Sequence, residues 1–181
     1  SQKHHILPLQ GKLINVEKAS STKVMANSIC LKLLDALGCG TGADCDIGQL
    51  AFSRIIILSD PDMDGTHSRL LLLKFFKHYL PKLLEAGLVS VIIPPLYRIS
   101  LPVSLQTEYA WSEEEREQII ELSGKYYAEK PEVMRLKGIA QFNRTACENL
   151  FLNPASRTLF QVHLTDNKLQ LSVEKTGART F

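Results

Sequence analysis

Ile55-Ile56-Ile57-Leu58-Ser59-Asp60-Pro61-Asp62-Met63-Asp64-Gly65-Thr66 decides how this 181-residue chain is read. Its apolar, β-branched start fits a strand buried on both faces. Aspartate then takes every second position, a glycine follows, and a helical pattern begins. From Thr66 to Tyr79 the apolar residues Leu70, Leu71, Leu73 and Phe76, with Leu80 beyond, predict a well-covered helix. Asp64 or Thr66 is placed to cap it. Three carboxylates in one short loop repel one another. At roughly 5 Å and an effective dielectric of about 20, each pair costs about 3 kcal/mol. Such a loop takes up protons or holds a cation. Carboxylate oxygens select hard cations, so the candidates are magnesium, manganese and calcium.

The flanking sequence supplies the sheet around this loop. Pro81 kinks or restarts the helix, Leu83 and Leu84 continue it, and Gly87 closes it. Leu88 to Ile93 reads as a second buried strand, stopped by Pro94-Pro95. Strand, crossover helix and strand make a βαβ unit, which predicts a parallel sheet. Ligands of such sheets sit at the carboxyl ends of the strands, where Asp60, Asp62 and Asp64 fall. Upstream, Gly11 to Lys18 reads as a strand or its end. Ser20 to Leu37 reads as one helix, capped by Ser20, Ser21 or Thr22 and ended by Gly38. Gly38, Gly40 and Gly42 follow that helix instead of preceding one, so they read as a connector and not as a phosphate cradle.

Beyond Tyr97 the character changes. Ser112-Glu113-Glu114-Glu115 is a capping box opening an amphipathic helix through Ile119, Ile120 and Leu122. A short helix runs through Ala146 and Leu150. Leu159 to Leu164 and Leu169 to Val173 alternate around Asp166-Asn167, a hairpin signature. Lys175 to Phe181 reads as a frayed tail.

Composition bounds the function. An apolar fraction of 45% is enough for a real core, and a net charge of +2 gives no general attraction to polyanions. Nucleic-acid contact therefore needs a local patch. Lys74, Lys77, His78 and Lys82 recur at helical spacing and read first as a solvated face. No apolar run is long enough to span a membrane. The cysteines Cys30, Cys39, Cys45 and Cys147 lack zinc spacing and read as reduced thiols of an intracellular protein.

Three chemistries compete for the acidic loop. Asp60, Asp62, Asp64 and Gly65 match the opening of an EF-hand calcium loop, but its twelfth position, which needs glutamate, is Leu71, and a strand precedes it. Asp62-Met63-Asp64-Gly65-Thr66 also resembles the first motif of haloacid-dehalogenase-type phosphohydrolases, with Asp62 as nucleophile and Asp64 as acid/base. Pro94-Pro95 then stands where that family needs a hydroxyl, and Glu113 to Glu115 open a helix where an acidic pair should end a strand.

The third is the D-x-D-x-D-G segment of the TOPRIM domain, and here the resemblance runs along most of the chain. His5 to Ala19 looks like the stretch just after that family's first catalytic motif. Ala36 to Gly42 is similar to its helix end, Asp60 to Phe76 to its acidic loop and helix, and Pro94 to Ile99 to its next strand end. Arg135 to Ile139 with Asn143, and Pro154 to Leu159, resemble later segments. Together they resemble the B subunits of bacterial type IIA topoisomerases. The short gap between Tyr97 and the Ser112 helix favours the topoisomerase IV type over gyrases with a large insertion.

This resemblance implies an α/β fold: a TOPRIM-type, Rossmann-like parallel sheet with flanking helices over residues 1–100, lacking its first strand, and a small α+β C-terminal extension over 101–181. It implies a DNA cleavage and religation module that binds Mg2+ through Asp60, Asp62 and Asp64. Lys12, His67, Arg69 and Lys137 match basic positions expected to meet DNA. The implied partners are double-stranded DNA and an A subunit in a heterotetramer, in the cytoplasm at the nucleoid. The nucleophile belongs to the A subunit, so none of the five tyrosines here is nominated. ATP would act only through a separate N-terminal domain. The family's catalytic glutamate lies upstream of the stretch like His5 to Ala19, so an isolated chain is expected to be inactive, and a docking fragment that does not cut is the alternative. Where the family usually reads G-L-G-E-M-N, this chain has Gly138-Ile139-Ala140-Gln141-Phe142-Asn143. The lost glycine predicts an altered backbone, and the lost carboxylate a weaker polar contact.

Overall fold

A computed structural model describes residues 4–102 and 106–174. The tail expected over Lys175 to Phe181 lies outside them. Strands β1 (Ile55–Leu58) and β2 (Val89–Ile92) pair in parallel, Ile55 opposite Val89 and Leu58 opposite Ile92. The crossover between them is helical, as the periodicity requires. Two helices, α1 (Ser21–Met25) and α2 (Ser28–Leu37), lie upstream of β1, and the crossover consists of α3 (Met63–Tyr79) and α4 (Pro81–Glu85). Leu80 leaves helical geometry at φ −138° and ψ 43°, and Pro81 restarts the helix at its first position, where a missing N–H costs nothing. Leu71, Leu73, Phe75 and Phe76 of α3, then Leu83 and Leu84 of α4, are buried, whereas Leu70 is largely exposed. They pack with Val89 and Val91 of β2, each fully buried side chain contributing about 1.5–3 kcal/mol.

Besides short 3-10 and π turns, the described residues also form β3 (Tyr97–Ser100), β4 (Thr107–Ala110), α5 (Glu113–Tyr126), β5 (Glu132–Arg135), α6 (Arg144–Cys147), β6 (Leu159–Thr165) and β7 (Lys168–Glu174). The main sheet has the order β1-β2-β6-β7. β6 joins β2 antiparallel, with Val91 opposite Phe160, and turns into β7 at Asp166-Asn167. Both turn residues have positive φ, 49° and 59°, the geometry of a two-residue hairpin turn. The architecture is α/β with flanking helices, and among the described residues parallel pairing is confined to β1 and β2. A hairpin from beyond residue 100 thus completes the sheet that carries the acidic loop. Arg54, just before β1, pairs with Glu174 at the end of β7 and ties the sheet's two edges together. A second, antiparallel sheet has the order β4-β3-β5. Its four-residue strands are too short to show a period in the sequence.

Two expectations upstream are corrected. Ser20 to Leu37 is not one helix. α1 is capped by Ser20 and ends near Met25, and α2 starts at Ser28 because the Asn27 side chain accepts the N–H groups of Ile29 and Cys30. An asparagine that offers the backbone its own acceptor competes with helix continuation. Gly11 to Lys18 forms no strand. The Asn15 side chain accepts the Glu17 N–H, and its carbonyl accepts those of Lys18 and Ala19. The turn buries Leu13 and Val16 together, which a strand would place on opposite faces. Ser112 caps α5 as expected, its Oγ accepting the Glu115 N–H at 3.1 Å, but the box closes one residue earlier, because the Glu115 carboxylate accepts the Trp111 N–H at 2.6 Å instead of that of Ser112. Among the described residues no helix is long and apolar enough to cross a membrane.

Candidate metal and nucleic-acid site

The acidic loop leaves the carboxyl end of β1 and turns sharply into α3. Gly65 makes the turn possible: a Cβ there would lie 2.1 Å from the Asp60 carbonyl oxygen. Only glycine lets the first turn of α3 approach the loop backbone this closely.

Each aspartate has a separate partner. Asp62 is the N-cap of α3, accepting the Gly65 N–H at 2.7 Å. The cap is therefore neither Asp64 nor Thr66. Asp64 sits within the first helical turn, and the Thr66 hydroxyl donates back to the Asp62 carbonyl at 3.1 Å. Capping falls to Asp62 because only the residue before the first turn has the extended backbone that aims its side chain at free N–H groups. Asp64 Oδ1 lies 2.6 Å from Lys12 Nζ, a bond across 52 residues. The Lys12 ammonium holds the Asp64 carboxyl below the usual aspartate range. Asp60 Oδ1 accepts the Ile139 N–H at 2.7 Å. The mutual repulsion expected of three close carboxylates is offset by a helix terminus, an ammonium and a backbone donor.

The Ile139 donor belongs to the segment that departs from the family pattern. Gln141 Oε1 accepts the N–H groups of Lys137 and, at 3.1 Å, of Gly138. This folds residues 137–141 into a tight turn with Ile139 N–H facing Asp60. A neutral amide oxygen does this as a carboxylate would, so the missing charge leaves no open polar contact here. Phe142 is buried, stacked on Tyr109 at 6.0 Å and edge-on to Phe151 at 5.1 Å.

The basic candidates divide. Arg69 is half-buried, with Nη1 3.4 Å from Ser59 Oγ at the end of β1, and burial lowers its pKa. His67 and Lys137 are exposed. Lys12 is engaged by Asp64. On the face expected to be solvated, Lys74 pairs with Glu17, and Lys82 donates to the carbonyls of Ala43 and Cys45 at 3.0 and 2.8 Å. These two lysines anchor loops instead of projecting freely.

Asp60, Asp64, Ser59, Gly65 and Ile139 line one cleft of about 290 Å3. Among the described residues, no three Asp, Glu, His or Cys side chains are grouped closely enough to hold a metal ion. The donor chemistry still suits a hard cation, because Mg2+ keeps several waters and needs only one or two carboxylates. The arrangement fits a hydrated ion and not a closed three-carboxylate cage. Sequence reasoning missed the Ile139 and Gln141 contributions, and no local pattern signals a backbone donor 79 residues from its acceptor.

Comparison with known proteins follows the same line. No family model matches the chain. It is 40% identical over 166 residues to the DNA gyrase B subunit of Treponema pallidum, covering 92% of this chain and 25% of that protein. It is 39% identical over 163 residues to the DNA topoisomerase 4 B subunit of Bacillus subtilis, covering 89% and 24%. The gyrase B subunit of Thermus thermophilus is 42% identical over 166 residues, covering 89% and 25%. Gyrase and topoisomerase IV subunits match equally well, so similarity does not separate the two as the short gap after Tyr97 suggested. The chain spans about a quarter of the length of these curated relatives. Along nine-tenths of its length, the chain is homologous to a region of the B subunits of type IIA DNA topoisomerases.

Proposed function

We propose that this chain is the Mg2+-binding DNA cleavage and religation module of a type IIA topoisomerase B subunit. It works with the tyrosine of an A subunit on double-stranded DNA, within a heterotetramer of the cytoplasm. The observation that carries this reading is the Asp60, Asp62 and Asp64 loop at the carboxyl end of β1, where open α/β sheets bind ligands. Asp60 and Asp62 hold the hydrated ion and Asp64 supports them. Bound Mg2+ supplies positive charge at the scissile phosphate and at the leaving sugar oxygen. The protein's own part is to fix the carboxylates: Asp60 through Ile139, Asp62 through its cap, and Asp64 through Lys12. His67, Arg69 and Lys137 meet the DNA backbone, joined by Lys12 when phosphate competes with Asp64. Residues 1–100 form the metal-binding unit, and residues 101–181 an extension that docks back through β6. ATP hydrolysis belongs to another part of the longer protein.

The test has two arms. Mn2+, a spectroscopic substitute, is titrated into the chain by electron paramagnetic resonance. Binding that is lost in the Asp60→Asn/Asp62→Asn variant supports the metal assignment, and unchanged binding overturns it. In the longer protein combined with its A subunit, Asp62→Asn should abolish Mg2+-dependent plasmid cleavage. Normal cleavage by that variant would sink the reading.

A further inference from the structure

The cleavage chemistry leaves one pair of nucleophiles unused. Cys39 and Cys45 are both buried, and Cys45 Sγ donates to Cys39 Sγ at 3.9 Å. Their loop is short and closed on itself. Asp46 N–H donates to the Cys39 carbonyl at 2.8 Å, and Asp44 N–H to the Thr41 carbonyl at 3.0 Å. Gly40 and Gly42 both adopt positive φ, 76° and 55°. A Cβ on Gly40 would lie 2.7 Å from the Asp44 carbonyl oxygen, so glycine is what lets the loop fold the two sulfurs against each other. Lys82 of α4 grips the same loop through the Ala43 and Cys45 carbonyls. Gly38, Gly40, Ala43, Asp44 and Asp46 of the same loop are exposed, while both cysteines pack into the main core beneath it.

We propose that Cys39 and Cys45 are a modification site: a dithiol that a hydroperoxide converts to an intramolecular disulfide, giving the Gly38 to Asp46 loop two covalent states. The reaction balances in two steps. One thiol, as thiolate, attacks the O–O bond of hydrogen peroxide, and a sulfenic acid and water form. The second thiol attacks the sulfenic sulfur and expels water. Overall, two thiols lose two electrons and two protons, and one peroxide becomes two waters. The contact distance places the second thiol beside the first, so the disulfide outruns further oxidation of the sulfenic acid. Bond formation draws the sulfurs from 3.9 Å to about 2.05 Å, and the two glycines absorb the movement. Burial and the neighbouring Cys45 push the Cys39 thiol up to about 11. Cys39 therefore rests as a thiol, and peroxide reaches the pair through opening of the loop.

Tryptic mapping separates the cysteines. Cys39 and Cys45 share the fragment Leu33 to Arg54, Cys30 lies in Val24 to Lys32, and Cys147 lies in Thr145 to Arg157. The native chain is treated with hydrogen peroxide, quenched, denatured, alkylated with iodoacetamide and digested. The expected result is a Leu33 to Arg54 fragment lighter by two hydrogens and refractory to alkylation, restored by dithiothreitol, while the Cys30 and Cys147 fragments alkylate fully. Cys45→Val keeps the site apolar, and there the Cys39 fragment should carry sulfenic or sulfinic oxygen instead. A doubly alkylated Leu33 to Arg54 fragment after treatment that oxidises Cys30 or Cys147 overturns the proposal. So does a sulfinic acid on Cys39 of the wild-type chain without the disulfide.

Discussion

Asp60 Oδ1 accepts the Ile139 backbone N–H at 2.7 Å, joining the end of β1 to a turn 79 residues later. The turn is held by Gln141, whose side-chain oxygen accepts two N–H groups of its own loop. Gln141→Ala should free the Lys137 to Ile139 backbone. We expect faster amide exchange at Ile139 and a stability loss of about 1 kcal/mol, with Gln141→Glu restoring protection. Unchanged exchange in Gln141→Ala, followed by NMR, would show that Asp60 is positioned without this turn.

Asp62 carries two separable roles. Asp62→Ala removes the N-cap of α3 and should cost about 0.5–2 kcal/mol in urea unfolding. Asp62→Asn keeps a capping oxygen and should leave stability nearly unchanged while weakening Mn2+ binding. Equal destabilisation by both variants would contradict a capping role for the side-chain oxygen.

Lys12 lowers the Asp64 pKa, chiefly through their hydrogen bond. The pair's contribution to stability is therefore complete above the ordinary aspartate pKa and fades as pH falls through the lowered folded value. Lys12→Met should move the Asp64 carboxyl carbon titration upward, toward the ordinary value, in an NMR pH series. Because both side chains are exposed, the accompanying change in melting temperature should be small.

Gly65→Ala should be among the most damaging substitutions in the chain. Its Cβ would press on backbone, the Asp60 carbonyl oxygen, which cannot step aside without moving the acidic loop. A loss of about 1–3 kcal/mol is expected, together with loss of Mn2+ binding. A well-folded Gly65→Ala chain with normal Mn2+ affinity would refute this account of the turn.

Ser90, in the centre of β2, is fully buried, and its hydroxyl has no hydrogen-bond partner among the described residues. Ser90→Ala removes an unsatisfied polar group while leaving the backbone pairing intact. A gain of up to about 1 kcal/mol is expected in denaturant unfolding.

The sequence by itself determined the elements whose signals are local. The β-branched run made β1, the 3.6-residue period made α3, the serine before three glutamates capped α5, and Asp166-Asn167 turned the hairpin. It also placed three carboxylates at the carboxyl end of a strand, and it contained the motifs that mark the family. Tertiary structure decided what those carboxylates touch. Asp60 is bound by a turn near residue 139, Asp64 by Lys12, and Asp62 by the helix it opens. It also decided that Lys74 and Lys82 anchor loops, that β6 completes the sheet of β2, and that Cys39 and Cys45 share a contact. The division has a physical cause. Periodicity and capping act within a few residues and leave a pattern in the chain. Hydrogen bonds and ion pairs between distant segments depend on how the elements pack, and no single stretch of sequence encodes that.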